Sequence, residues 1–124
     1  ARTQFDASPT SLRSARRFTA DCLTAWARSD MILVASTVVT VFMENVLAHT
    51  LSMPVVLLET VDDSVTVAVS DHDPRPAVRH ETSATGAHTV SGLAVVAALT
   101  RVWGCIPTTD GKTVWALIGP ENRL

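Results

Sequence analysis

The apolar positions of the chain fall into two kinds of period. Over residues 11–28, Leu12, Ala15, Phe18, Cys22 and Trp26 recur every three to four residues, as on an amphipathic helix. Ser8-Pro9-Thr10 before them supplies a capping hydroxyl and a first-turn proline. Asp30 then opens a long apolar stretch over residues 31–50. Val34, Thr37, Val38, Val39, Thr40 and Val41 are β-branched and favour a strand, but the stretch exceeds strand length. Val38, Val41, Phe42, Asn45 and His49 line one helical face, and length decides for a helix.

Pro54 ends that segment. Residues 55–60 and 64–70 read as strands, the second alternating Val65, Val67, Val69 against Ser64, Thr66, Ala68, Ser70. Asp62-Asp63 between them is turn chemistry, which predicts an antiparallel hairpin. Residues 71–89 lose periodicity and form one long loop, rich in hydroxyls and histidine. A third helix is predicted over 91–103, its inner face Leu93, Val96, Ala97, Leu99, Thr100 and Trp103, with Gly104 as C-cap. Residues 105–108 and 113–118 are short strands joined by Thr109-Asp110-Gly111-Lys112, and residues 3–7 make a short strand at the start.

The predicted order is β-α-α-β-β-loop-α-β-β. Helices that do not alternate one for one with strands exclude a doubly wound parallel fold. The expectation is a two-layer α/β sandwich: a mostly antiparallel sheet of about five strands carrying three helices. With 124 residues, 47% of them hydrophobic and 18% charged, the chain is read as one domain spanning residues 1–124. The apolar run without a formal charge at residues 31–43 is shorter than a bilayer-crossing helix needs, so no membrane span is predicted. The first residues lack a basic start followed by an apolar run, and the location expected is cytoplasmic.

Charge changes the picture locally. The net charge of −2 gives no general attraction to nucleic acid, but residues 1–30 hold five arginines against three acids. Arg13, Arg16 and Arg17 share one helical face, a candidate docking surface for an acidic protein partner. Cys22 and Cys105 form no CxxC pair, and His49, His72, His80 and His88 lack HxxxH or HExxH spacing, so neither a disulfide framework nor a zinc site is indicated. There is no GxSxG elbow. Gly111-Lys112-Thr113 has Ile106 where a Walker loop needs glycine.

What remains is an ordered constellation: Asn45, Asp71, a long loop, Gly92, and Gly111-Lys112-Thr113. Asn45 lies within Met43-Glu44-Asn45-Val46-Leu47-Ala48-His49, and Asp71 within Val69-Ser70-Asp71-His72-Asp73-Pro74-Arg75-Pro76. Gly92 lies within Ser91-Gly92-Leu93-Ala94-Val95-Val96-Ala97-Ala98-Leu99, followed by Trp103-Gly104 and Gly111-Lys112-Thr113-Val114-Trp115-Ala116. In order and spacing these resemble the N-box, adenine loop and C-terminal signature of the GHKL-type ATP-binding (Bergerat) fold of sensor histidine kinases, gyrase and MutL. The resemblance is strongest to its small branch of bacterial anti-sigma factors and serine-protein kinases, and it covers nearly the whole chain.

The resemblance implies ATP and Mg²⁺ as ligands. Asp71 would accept a hydrogen bond from the exocyclic amine of adenine, with the Thr113 hydroxyl in support. The Asn45 side-chain oxygen would ligate magnesium. Backbone amides at Ser91-Gly92, opening the third helix, would receive phosphate, and residues 75–89 would be a lid. The implied partners are a sigma factor or an anti-anti-sigma (STAS-type) protein, with homodimerisation also implied.

The sequence departs from the family pattern at several points. The general base of the kinase branch falls on Val41, which takes no proton, and no residue is assigned as catalytic. Asp73 and Arg75 replace the two glycines of the adenine loop, and Val90 replaces the first glycine of the lid motif. Three readings stay open: a serine kinase using another base, a nucleotide-binding partner module without phosphate transfer, and a protein-binding domain without nucleotide. The middle one is the expectation.

Overall fold

A computed structural model describes residues 1–50, 52–72 and 86–124. Two helices come first, α1 (Ser11–Ala25) and α2 (Ile32–His49), after a short strand β1 (Arg2–Gln4). Strands β2 (Val55–Val61) and β3 (Ser64–Asp71) follow, then α3 (Gly86–Leu99), β4 (Val102–Pro107) and β5 (Lys112–Ile118). The five strands form one sheet in the order β1-β2-β3-β5-β4, with every neighbouring pair antiparallel. This is the expected two-layer α/β sandwich.

The core lies between α2 and the sheet. Val34, Ala35, Val38, Val39, Phe42, Met43 and Val46 of α2 are buried against Val56 and Leu58 of β2, Val65, Val67 and Val69 of β3, and Val114, Ala116 and Ile118 of β5. Valine-rich strands buried on one face and an apolar helix laid across them remove a continuous surface from water, the main favourable term in such a fold. With its preceding turn, residues Ser29–Ala48 are long and apolar enough to cross a membrane by length and composition. Burial of its apolar stripe between α1 and the sheet is the behaviour of a core helix.

Several sequence expectations shift by a few residues, each for a local reason. The buried line of α1 is Ser11, Ala15, Thr19 and Leu23, while Leu12, Phe18, Cys22 and Trp26 are only partly buried on its flanks. Thr19 hides its hydroxyl by donating to the Ala15 carbonyl at 2.8 Å, and Ser11 does the same to Asp6 at 2.8 Å. The third helix starts at Gly86 and stops at Leu99, four residues before the predicted end at Trp103. The Thr100 hydroxyl donates to the Val96 carbonyl, and the Arg101 amide already donates across to Leu117. Trp103 and Gly104 therefore lie on β4, where the Trp115 indole covers Gly104, which is not a C-cap. The expected lid lies outside the described residues up to position 85, as do Asp73 and Arg75, and its remainder belongs to α3.

Helix α1 ends in a Schellman motif, with the Ala27 amide on the Thr24 carbonyl and the Arg28 amide on the Leu23 carbonyl. Ala27 occupies the left-handed position at φ 58° that glycine fills without a Cβ penalty. Ala27→Gly is therefore expected to stabilise the protein by about 1 kcal/mol. A urea midpoint no higher than that of the parent would contradict this.

A charged clasp closes the end of the sheet opposite Asp71. Arg101 meets Asp63 of the β2–β3 turn (Nη1–Oδ1 3.2 Å, Nη2–Oδ2 3.0 Å) and Glu121 beyond β5 (Nε–Oε2 2.6 Å, Nη2–Oε1 2.9 Å). Hydrogen bonds from this guanidinium hold both carboxyls below their usual range. Groups with lowered folded pKa contribute stability above their unfolded values, near 3.8 and 4.5, and lose it as pH falls through the folded ones. Arg101→Met is thus expected to lower the melting temperature at pH 7 and to match the parent in acid below that window. A gap that stays constant down to pH 2 would refute the assignment.

Candidate functional site

The end of the sandwich where α2 stops is built from three segments. Helix α2 delivers Asn45 in its last turns. Its C-terminus is closed by Thr50, whose amide and hydroxyl both donate to the Val46 carbonyl at 2.9 Å. The Thr50 hydroxyl pairs with Ser52 Oγ at 2.9 Å, and Ser52 Oγ accepts the His72 amide at 3.2 Å. This chain of hydroxyls ties the end of α2 to the end of β3. The third segment is the β4–β5 hairpin, closed by the Thr108 amide on the Gly111 carbonyl, whose Asp110 Oδ2 lies 3.0 Å from His72 Nδ1. Asn45, Asp71, His72, Asp110 and Lys112 thus gather at one end of the fold.

Asp71 is the innermost polar group there. Alternation along β3 puts it on the same face as Val65, Val67 and Val69, so its carboxylate points toward the helices, with a side chain 1% exposed. The register pairs it with Lys112, whose Nζ lies 2.8 Å from Asp71 Oδ2 and whose side chain is 10% exposed. Charges this deep persist when they are matched. Residue type alone does not mark Lys112 as a site residue, although alternation back from Ile118, Ala116 and Val114 turns its side chain inward.

The same alternation corrects Thr113. It pairs with Ser70 on the opposite face of the sheet, and its hydroxyl meets Ser70 Oγ at 2.7 Å, so it does not support Asp71. Gly92 also differs from expectation. It sits inside α3 rather than opening it, so its backbone belongs to the helical ladder and offers no helix-start phosphate cradle. A Cβ on Gly92 would lie 3.0 Å from Val41 Cγ1, so the glycine serves close packing of α3 on α2. Val41, where the kinase branch has its base, is a half-buried packing residue at this contact.

Asn45 lies one turn beyond Val41 on α2. Its Nδ2 is buried and has no hydrogen-bond partner among the described residues. Buried amides are nearly always satisfied, and this one retains donor capacity for a ligand. Among the described residues no group of three or more His, Cys, Asp or Glu is arranged to hold a metal ion, and Cys22 and Cys105 are free thiols. Of the residues expected to hold a nucleotide, Asp71 and Asn45 lie at this end of the fold, while Thr113 and Gly92 are employed elsewhere. Arg13, Arg16 and Arg17 are exposed on α1, with Arg16 Nη1 3.5 Å from Thr40 Oγ1.

No protein-family model matches the chain, and no curated protein matches it in sequence. Among solved structures it is similar to the histidine kinase AdeS of Acinetobacter baumannii, with a TM-score of 0.58 and 11% identity over 98% of this chain and 68% of that one. At that identity the likeness is one of fold. What the two share is the arrangement of a five-stranded antiparallel sheet carrying three helices.

Proposed function

We propose that this chain is an ATP-binding regulatory domain of the anti-sigma type, which binds a sigma factor or a STAS-type antagonist and transfers no phosphate. The observation that carries the nucleotide reading is the buried Asn45 Nδ2, without a hydrogen-bond partner among the described residues, at the same end of the fold as the inward carboxylate of Asp71. In this reading Asp71 accepts the amine of adenine, and the Asn45 side-chain oxygen ligates the magnesium that neutralises the phosphates. Val41 contributes a hydrophobic contact to α3 and no proton transfer, hence binding without transfer.

Calorimetric titration with ATP, with and without magnesium, tests the reading. Saturable binding that Asp71→Asn abolishes is expected. Absence of binding in the parent protein, or binding indifferent to Asp71→Asn, would reject it. A second reading, a protein-binding domain without nucleotide, is favoured by the Lys112 ammonium already on Asp71 and by Gly92 being used in helix packing.

The partner surface in this proposal is the exposed arginine face of α1. Charges there steer an acidic partner by long-range attraction, while exposed charges contribute little to stability. Reversing Arg13, Arg16 and Arg17 to glutamate together is expected to slow association with a sigma-factor or STAS-type partner by roughly tenfold at low salt, with the melting temperature nearly unchanged. An association rate equal to that of the parent would discard this face.

A further inference from the structure

Lys112 is the only lysine among the 124 residues, and it is placed where lysine is seldom found, nine-tenths buried on the inner face of a sheet. Its ammonium lies 2.8 Å from Asp71 Oδ2, and it is the more exposed member of a pair whose carboxylate is 1% exposed. We infer that Lys112 is an internal competitor for the base-recognition carboxylate: it occupies Asp71 when no nucleotide is bound and must be displaced for a base amine to bind. The inference rests on the nucleotide-binding reading above and concerns only how that site is set.

The physical argument is an exchange of donors. An ammonium gives Asp71 a charge-assisted hydrogen bond, about twice as strong as one from a neutral donor, whereas the amine of adenine is a neutral donor. Binding a base in place of Lys112 therefore trades a stronger bond for a weaker one and also moves a buried cation. Both terms lower nucleotide affinity. Both vanish if residue 112 has no charge, at the cost of leaving the carboxylate buried without the Lys112 ammonium. Ligand affinity and stability without ligand are thereby coupled in opposite directions through one side chain.

Lys112→Met keeps most of the side-chain length and removes the charge. The variant is expected to bind ATP at least tenfold more tightly than the parent by calorimetry, and to melt about 5 °C or more lower without ligand. ATP should then raise its melting temperature by more than it raises that of the parent. Equal or weaker ATP binding by the variant overturns the inference while leaving the nucleotide reading intact. Absence of binding to both proteins overturns the two together. An independent measurement on the parent protein covers the case in which Lys112→Met does not fold. Because the chain has one lysine, its Nζ gives a single amine resonance in ¹⁵N-lysine-labelled protein. Saturating ATP is expected to move that resonance to the position and exchange rate of a solvated amine, and an unmoved resonance refutes displacement.

Discussion

Gly111→Ala is expected to destabilise the protein by about 3 kcal/mol, more than its one added methyl group suggests. A Cβ at position 111 would lie 2.7 Å from His72 Cα and closer still to the carbonyl oxygen of Asp71. Neither neighbour can yield cheaply. Asp71 is held in the β3–β5 register opposite Lys112, and the His72 amide is bonded to Ser52. The hairpin tip has to retreat, and with it Lys112 leaves Asp71. Gly92→Ala is the contrasting case, since its added Cβ would meet a Val41 methyl, which can adjust at a cost nearer 1 kcal/mol. Urea unfolding of the two variants beside the parent checks the ranking. If Gly111→Ala unfolds with the parent, the hairpin does not press on Asp71 as described.

How far the sequence was readable follows from the same contacts. The β2–β3 hairpin was legible because Asp62-Asp63 tolerates a left-handed turn, with Asp62 at φ 52°, and because Val65, Val67 and Val69 alternate without interruption. Helix α2 was legible from length, even though its valines and threonines favour strands. Thr37 and Thr40 are accommodated by donating to Leu33 and Ser36 at 2.8 Å. The end of α3 was not legible, because Val102 and Trp103 continue a helical spacing of apolar residues. Their commitment to β4 comes from pairing with Leu117 and Ala116, far along the chain. The buried line of α1 is hard to read for a related reason. Ser11 and Thr19 look polar in the sequence but consume their hydroxyls on nearby carbonyls.

At the site, residue types were legible and neighbours were not. The sequence places Asp71 as a carboxylate at a strand end, but the supporting residue it suggests, Thr113, lies one residue too far along β5. A one-residue step in a strand reverses the face, so Thr113 went to Ser70 and Lys112 to Asp71. Val41 is informative in the same way. The sequence shows only that a proton acceptor is missing; the structure adds that the position is occupied by packing against Gly92, so an acidic side chain there would be placed in the α2–α3 contact.

The buried pair carries the other large expected effect. Asp71→Ala leaves the Lys112 ammonium, 10% exposed, without that carboxylate, and breaking a buried pair from one side costs about 3–5 kcal/mol. Replacing both members, Asp71→Leu with Lys112→Met, removes the two charges together and fills similar volume, and is expected to stay within about 1 kcal/mol of the parent. Denaturant unfolding of the single and double variants measures the difference, and equal losses in both would show that the ion pair is not what holds this end of the sheet together. The comparison also governs how function is tested at Asp71. A carboxylate that both recognises a base and neutralises a buried cation loses two roles on truncation to alanine. Asp71→Asn, which keeps the shape but not the charge, compared with Lys112→Met, which keeps the carboxylate, separates a lost ligand from a weakened fold.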